Sequence, residues 1–114
     1  MGTMVVAQSQ RGQVLYCSAC KIFHVEFGNV HLSLWIEHLH ELWETLGTLD
    51  PWEAERMNAH TQFRRKVLIP IRNSPADLLF TAEEVTELHG LLARAVDKAV
   101  LPESAWAQTE EPKR

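Results

Sequence analysis

The chain has 114 residues and a formal net charge of −4, with 46% hydrophobic and 23% charged residues. These values describe one ordinary globular domain that can bury a core without a metal or a disulfide. They exclude a membrane-spanning helix, since no apolar run approaches roughly 20 residues, and they give no overall attraction to nucleic acid.

The N-terminal segment, residues 1–13, has no hydrophobic periodicity and is predicted to be a flexible arm. It lacks the basic start and the long apolar run of a secretory signal. We therefore expect a cytoplasmic protein, in which the two cysteines stay reduced unless they are catalytic or bind a metal.

A two-stranded hairpin is predicted directly after the Cys-x-x-Cys motif. Gly28 and Asn29 separate two β-forming runs, residues 21–27 and 30–34, and this dipeptide suits a two-residue primed turn. The predicted register places Phe27 opposite Val30, Glu26 opposite His31, Val25 opposite Leu32, and His24 opposite Ser33.

Strand alternation sorts these side chains onto two faces. The apolar face is predicted to be core and carries Phe23, Val25, Phe27, Val30, Leu32 and Leu34. The polar face is either solvated or a functional site, and it carries His24, Glu26, His31 and Ser33.

The first long helix is predicted over about residues 35–46. Ser33 is its expected N-cap, and Gly47 is expected to end it in a left-handed conformation. Apolar residues at helical spacing form its buried stripe, and these are Ile36, Leu39, Leu42, Trp43 and Leu46.

A short helix and a second hairpin are predicted next. Asp50 is the N-cap of the short helix, with Trp52 and Met57 as its buried anchors. Strands are then expected over residues 65–71 and 78–80.

Thr81 and Glu84 form a capping box that begins the second long helix, over about residues 82–100. Its apolar stripe consists of Val85, Leu88, Leu92, Ala95, Val96 and Ala99. Pro102 ends this helix, and residues 102–114 are predicted to be a disordered tail.

The order of elements predicts an α+β fold made of tandem ββα repeats. A single domain is expected over residues 14–101, with repeat one at 14–47, a connector at 48–63 and repeat two at 64–101. The repeats are expected to form one antiparallel sheet, with the two long helices on one face and the short helix connecting the halves.

Cys17 and Cys20 form the sharpest chemical motif. Two thiolates ahead of a hairpin are typical of the start of a zinc ribbon, but a structural zinc ion takes four ligands and no second Cys pair exists. His24 is the candidate third ligand, and His31 or a partner chain is the candidate fourth. At full strand rise His24 lies roughly 13 Å from Cys20, so this set requires the strand to begin later or to bend back.

Three other interpretations of the motif stay open. A redox pair is disfavoured because a strand, not a helix, follows it. A c-type haem site requires a histidine where Lys21 stands. The third interpretation is that the two cysteines are reduced and bind no ligand, with one of them packed as a small hydrophobe. The sequence favours this interpretation over zinc.

The polar face of the hairpin is the one candidate catalytic site. Some iron and zinc enzymes hold their metal with two imidazoles and a carboxylate, the groups that His24, His31 and Glu26 offer. Solvated polar residues on a half-exposed sheet are the favoured interpretation.

Positive charge concentrates around the third predicted strand, at Arg56, Arg64, Arg65, Lys66 and Arg72. Few aromatic residues are interleaved with these cations, so nucleic-acid binding is not expected. The favoured interpretation is an edge strand protected by charge against aggregation.

Several motifs resemble those of a family of short uncharacterised bacterial proteins. They are Y-C-x-x-C and F-G-N-V-x-L within residues 16–32, D-x-W-E at 50–53, R-R-K-V-L-I-P-I at 64–71 and L-L-F-x-x-E-E-V-x-x-L at 78–88. The resemblance covers roughly residues 14–96 and implies a shared fold. It transfers no functional residue to this chain.

The sequence as a whole predicts a small non-catalytic interaction or regulatory protein that associates with itself or with a protein partner. Its apolar residues follow the spacing of the predicted helices and strands, while the sequence assembles no general base, nucleophile or phosphate-binding loop. The expected contact surface is the sheet face opposite the helices, or a sheet edge. A zinc-binding module using Cys17, Cys20 and His24 is the alternative.

Overall fold

The computed structural model of the chain describes residues 3–71 and 73–106. Its fold is α+β. A four-stranded antiparallel sheet has the spatial order β1 (Thr3–Gln8), β2 (Gly12–Cys17), β3 (Ile22–Phe27), β4 (Val30–Leu34). The chain continues through α1 (Ile36–Gly47), α2 (Pro51–Met57), the two-stranded sheet of β5 (Val67–Pro70) and β6 (Asp77–Phe80), α3 (Ala82–Ala99) and a 3₁₀ turn (Glu103–Ala105).

The hairpin of β3 and β4 has the predicted register. Phe27 pairs with Val30, and the pairing continues to His24 opposite Ser33. Gly28 adopts a φ of +61° while the φ of Asn29 is not positive, which is the pattern of a type II′ turn. The predicted apolar face of β3 is buried and its predicted polar face is not.

The helices α1 and α3 pack side by side on the inner face of the four-stranded sheet. The β5–β6 hairpin adds its own buried side chains, Val67 and Ile69, to this core. The core includes the side chains of Val14, Phe23, Val25, Leu39, Leu46, Leu88 and Leu92. The four-stranded sheet therefore has one face in the core and one face that is open.

The prediction that residues 1–13 form a flexible arm is wrong for residues 3–13, which the structure describes. β1 pairs antiparallel with β2, and a β-bulge interrupts the pairing between Val5 and Ala7. Val6 and Ala7 are both buried as a result. The bulge breaks the strict alternation by which a half-buried strand is recognised in a sequence.

Two sheets replace the single antiparallel sheet that was predicted. Within the described residues, β5 and β6 pair with each other and not with the larger sheet. Each predicted hairpin is followed by a long helix, but β1 and β2 precede both hairpins. The tandem duplication stays a prediction.

Helix α1 lacks the two caps that were predicted for it. Ser33 stays in β4 opposite His24, and Trp35 is the N-cap without a side-chain hydrogen bond. Gly47 is the last helical residue and not a left-handed one. A Cβ atom on Gly47 would lie 3.2 Å from His89 Nε2, so the missing side chain lets α3 approach closely.

Helix α2 begins as predicted, with Asp50 accepting a backbone hydrogen bond and Pro51 in the first turn. The predicted anchors of α2 are wrong, because the side chains of Trp52 and Met57 are 60% and 63% exposed. Ala54 packs against the core instead. The same helix is also joined to the start of α3, because the Glu55 carboxylate accepts the Ala82 N–H at 2.7 Å.

The C-terminal segment predicted to be a disordered tail folds back onto the sheet as far as residue 106. The indole of Trp106 is 3% exposed and lies edge-on to Tyr16, with ring centroids 4.9 Å apart. Its Nε1 donates to the Leu101 carbonyl at 3.0 Å. Residues 107–114 lie outside the described residues.

Candidate functional site

The Cys-x-x-Cys motif forms the turn that joins β2 to β3. Cys17 ends β2, and the N–H of Lys21 donates back to the Cys17 carbonyl at 2.8 Å. Lys21 is left-handed, with a φ of +61°, which redirects the chain so that β3 begins at Ile22. We call this segment, residues 17–21, the thiol turn.

Both thiols of the thiol turn are free. The N–H of Cys20 points at the Cys17 sulfur, with a distance of 3.4 Å from N to Sγ. Hydrogen bonds from the Cys20 thiol and the Cys20 N–H lower the pKa of Cys17, and the same thiol contact raises the pKa of Cys20. These contacts stabilise negative charge on the Cys17 sulfur.

His24 and His31 form a second pair, on the open face of the sheet. Nδ1 of His24 lies 3.0 Å from Nε2 of His31, and the rings are stacked with centroids 5.2 Å apart. One nitrogen must donate and the other must accept, so the contact needs at least one neutral imidazole. This proximity follows from the predicted register, in which His24 lies opposite Ser33 and His31 lies opposite Glu26.

Glu26 lies on the same open face, but its carboxylate is hydrogen-bonded to a residue of another strand. It is paired with His31 across the strands, yet its carboxylate accepts a hydrogen bond from Gln13 Nε2 at 2.8 Å. Gln13 belongs to β2, whose residues the hairpin prediction did not include. The carboxylate is thus held toward β2 by a neutral amide.

The predicted metal ligands thus come together as two pairs, one of thiols and one of imidazoles. Among residues 3–71 and 73–106, no group of three or more His, Cys, Asp or Glu side chains is arranged to hold a metal ion. A zinc site that uses Cys17, Cys20, His24 and His31 within one chain stays a proposal.

Beside the thiol turn lies a cavity of about 380 Å³ that the sequence did not indicate. It is lined by Tyr16, Lys21, Ile36, Leu101, Glu103 and Trp106 among others. The Tyr16 hydroxyl donates to Glu103 Oε2 at 3.0 Å, and burial together with this carboxylate raises the pKa of Tyr16. No periodic signal marks residues 101–106, and the isolated Trp106 was the only available clue.

Large apolar side chains are exposed at the same end of the sheet. Trp35 is 59% exposed, and Ile36 and Leu101, which line the cavity beside Lys21, are each 38% exposed. Trp35 follows β4 directly, and Leu34 at the end of β4 pairs with Phe23 next to the thiol turn. We call Trp35, Ile36 and Leu101 the sheet-end patch.

The cluster of cations is largely engaged in contacts within the chain. Arg56 is paired with Glu53, and Arg65 donates to Glu84 at 2.9 Å. Lys66 donates to the backbone and side chain of Thr61. Arg72 lies outside the described residues.

Comparison with known proteins places the chain in a family. A family model described as "Family of unknown function (DUF6686)" matches residues 1–105. The chain belongs to this family. The match agrees with the expected resemblance to uncharacterised proteins. No curated protein and no solved structure matches the chain.

None of the helices formed by the described residues is both long and apolar enough to cross a membrane.

Proposed function

We propose that the protein is non-catalytic and acts by association with a second copy of itself. The observation that supports this proposal is the sheet-end patch, in which the exposed Trp35 precedes Ile36 in the chain and Ile36 lines one cavity with Leu101. Burial of apolar area contributes about 25 cal/mol per Å², so covering this patch favours association. Exposed apolar groups of this kind often mark interaction sites.

Trp35 is the residue on which we expect most of the binding free energy to depend. Tryptophan is enriched among the few residues that dominate interface energies. Its backbone already serves as the N-cap of α1, so the indole is presented from a fixed position between β4 and α1. Little conformational freedom of the backbone is then lost on binding.

The pKa of the Glu84 carboxylate is shifted, and its contacts within the fold account for the shift. The Arg65 guanidinium lowers the pKa of Glu84, whose carboxylate also accepts from the Thr81 N–H at the start of α3. A shifted pKa can mark an active site, but structural ion pairs shift pKa values as well. Here the hydrogen bonds of this carboxylate explain its shift structurally.

A cytoplasmic location belongs to the same proposal. Cys17 and Cys20 are free thiols in a turn that leaves Cys20 exposed. A reducing compartment is where exposed thiols so close to each other persist.

Sedimentation velocity across micromolar concentrations tests the association. We expect a concentration-dependent dimer, and we expect Trp35→Glu to weaken it at least about tenfold, which corresponds to about 1.4 kcal/mol. Trp52→Glu is the matched control, because Trp52 is 60% exposed but lies on α2. A monomer at every concentration, or equal weakening by both variants, would contradict the proposal.

A zinc-binding module within one chain is the second candidate. The observation that favours it is the N–H···S contact in the thiol turn, since such contacts stabilise the thiolate that zinc requires. His24 would be the third ligand and His31 the fourth, which requires their mutual hydrogen bond to break. This site predicts one zinc ion per chain in protein purified without a histidine tag, and loss of zinc in His24→Ala but not in His60→Ala.

A further inference from the structure

The thiol turn supplies half of a structural zinc site. Zinc in such sites is held by four ligands in a tetrahedron, and Cys-x-x-Cys is a usual spacing for two of them. We infer that one zinc ion is bound between two copies of the chain by Cys17 and Cys20 of each copy. This inference rests on the self-association proposed above and names the metal that would control it.

The backbone of the thiol turn prepares the two sulfurs for a metal. The Cys20 N–H points at Cys17 Sγ, and the left-handed Lys21 closes the turn through its hydrogen bond to the Cys17 carbonyl. These contacts orient the first ligand and stabilise its negative charge before the metal arrives. Cys20 is exposed and Cys17 is half-buried, so an ion can approach from solvent.

The remaining two ligands cannot be further cysteines of the same chain. The sequence has only two cysteines. The structure, where it is described, places no third His, Cys, Asp or Glu side chain with the pair. The nearest predicted ligand, His24, is engaged with His31 at 3.0 Å. A second thiol turn is the donor set that completes the tetrahedron without rearranging this chain.

Two-fold symmetry supplies that second turn. In a C2 dimer the same surface lies on both sides of the axis, so a thiol turn near the axis meets its own copy. The sheet-end patch adjoins the turn through Ile36 and Leu101, which line the same cavity as Lys21. Its apolar side chains would surround the metal and exclude water from it.

The protons and charges of this site balance. Four S–H bonds break, four Zn–S bonds form, four protons go to solvent, and no group is oxidised or reduced. The zinc with its four thiolates carries a charge of −2, which the adjacent Lys21 of each copy offsets. The Lys21 side chain is 72% exposed and forms an ion pair with Glu103, with 3.6 Å from Nζ to Oε2, so on dimer formation Lys21 would exchange this carboxylate for the zinc thiolates.

The test uses the full-length chain without a tag, kept reduced, with zinc or with a chelator. We expect a dimer that contains one zinc ion per two chains, and a shift to monomer of at least about tenfold in dissociation constant when zinc is removed. Cobalt(II) as a spectroscopic probe should show a tetrahedral site whose sulfur-to-metal absorption corresponds to four thiolates. Cys17→Ser with Cys20→Ser should abolish both results, while circular dichroism shows that this variant is folded.

The outcomes separate this inference from the proposed function. A dimer that persists with the chelator and in the double serine variant would overturn the shared zinc and leave self-association standing. One zinc per chain in a monomer would overturn both and favour the second candidate. A monomer that binds no zinc even when zinc is supplied, or an intramolecular disulfide that forms in preference to metal binding, would overturn the shared site outright.

Discussion

Glu87 on α3 holds the turn between β1 and β2. Its carboxylate accepts hydrogen bonds from Ser9 Oγ and from the Arg11 N–H, both at 2.6 Å, and is paired with the Arg11 guanidinium. Burial raises the pKa of Glu87, but these hydrogen bonds and the Arg11 charge outweigh it, so the pKa lies below its ordinary value. The ionised carboxylate therefore stabilises the folded chain at neutral pH.

We expect Glu87→Gln to lower the free energy of unfolding at neutral pH by about 2 kcal/mol, since hydrogen bonds to a charged group contribute about that much. In the unfolded chain the Glu87 pKa is about 4.3. Because the folded pKa is lower, wild type loses this stabilisation as the pH falls below that value, and the two proteins should converge. Urea unfolding at several pH values measures the difference.

The control for this measurement is Asp97→Asn, at an exposed position on the same helix. It should change the free energy of unfolding by less than about 0.5 kcal/mol. A loss in Glu87→Gln that is the same at neutral and at acidic pH would show that the carboxylate charge is not responsible.

At the scale of elements, the turn at Gly28 sets the register of the β3–β4 hairpin. Gly28 has a φ of +61°, and a Cβ atom added there would meet no atom within 4 Å. Gly28→Ala should therefore lower the free energy of unfolding through backbone strain alone, by about 1 to 2 kcal/mol. Asn29→Ala is the matched control in the same turn, and thermal unfolding compares the two. If Gly28→Ala and Asn29→Ala lowered the free energy of unfolding equally, strain from the left-handed conformation of Gly28 would not be the cause.

The N-termini of the two long helices give a second matched pair. Thr81 Oγ1 accepts the Glu84 N–H at 3.0 Å, whereas no side chain caps α1. Thr81→Ala should lower the free energy of unfolding by about 1 kcal/mol. Ser33→Ala should change it by less than about 0.5 kcal/mol, because Ser33 lies in β4. Urea unfolding measures both variants. A larger loss of unfolding free energy in Ser33→Ala would support Ser33 as the N-cap of α1, as predicted from the sequence.

These elements differ in how far their sequence alone determines them. The β3–β4 hairpin and the capping box at Thr81 depend on residues within a few positions of each other, and both were predicted correctly. β1 was missed because its bulge at Val5 depends on pairing with β2. The thiol and imidazole pairs could be predicted from turn and register, but the Gln13 contact that holds Glu26 could not, since it comes from β2.

At the scale of the whole molecule, contacts distant in sequence decide what is buried. Trp52 and Trp106 have similar local surroundings of polar residues, yet they are 60% and 3% exposed. Tyr16 and Phe23, with ring centroids 4.6 Å apart, form the aromatic surface that receives Trp106. The sequence near either tryptophan contains no sign of that surface.

Trp106 thus fastens the C-terminal segment to the sheet end that carries the thiol turn. We expect Trp106→Ala to lower the free energy of unfolding by about 3 kcal/mol, the usual cost of removing a buried aromatic side chain. Trp52→Ala should change it by less than about 0.5 kcal/mol. Urea unfolding followed by circular dichroism avoids the loss of an indole signal. Equal stabilities of the two variants would mean that the segment after Leu101 is not docked in solution, and the cavity beside Lys21 would then lack the wall that Trp106 forms.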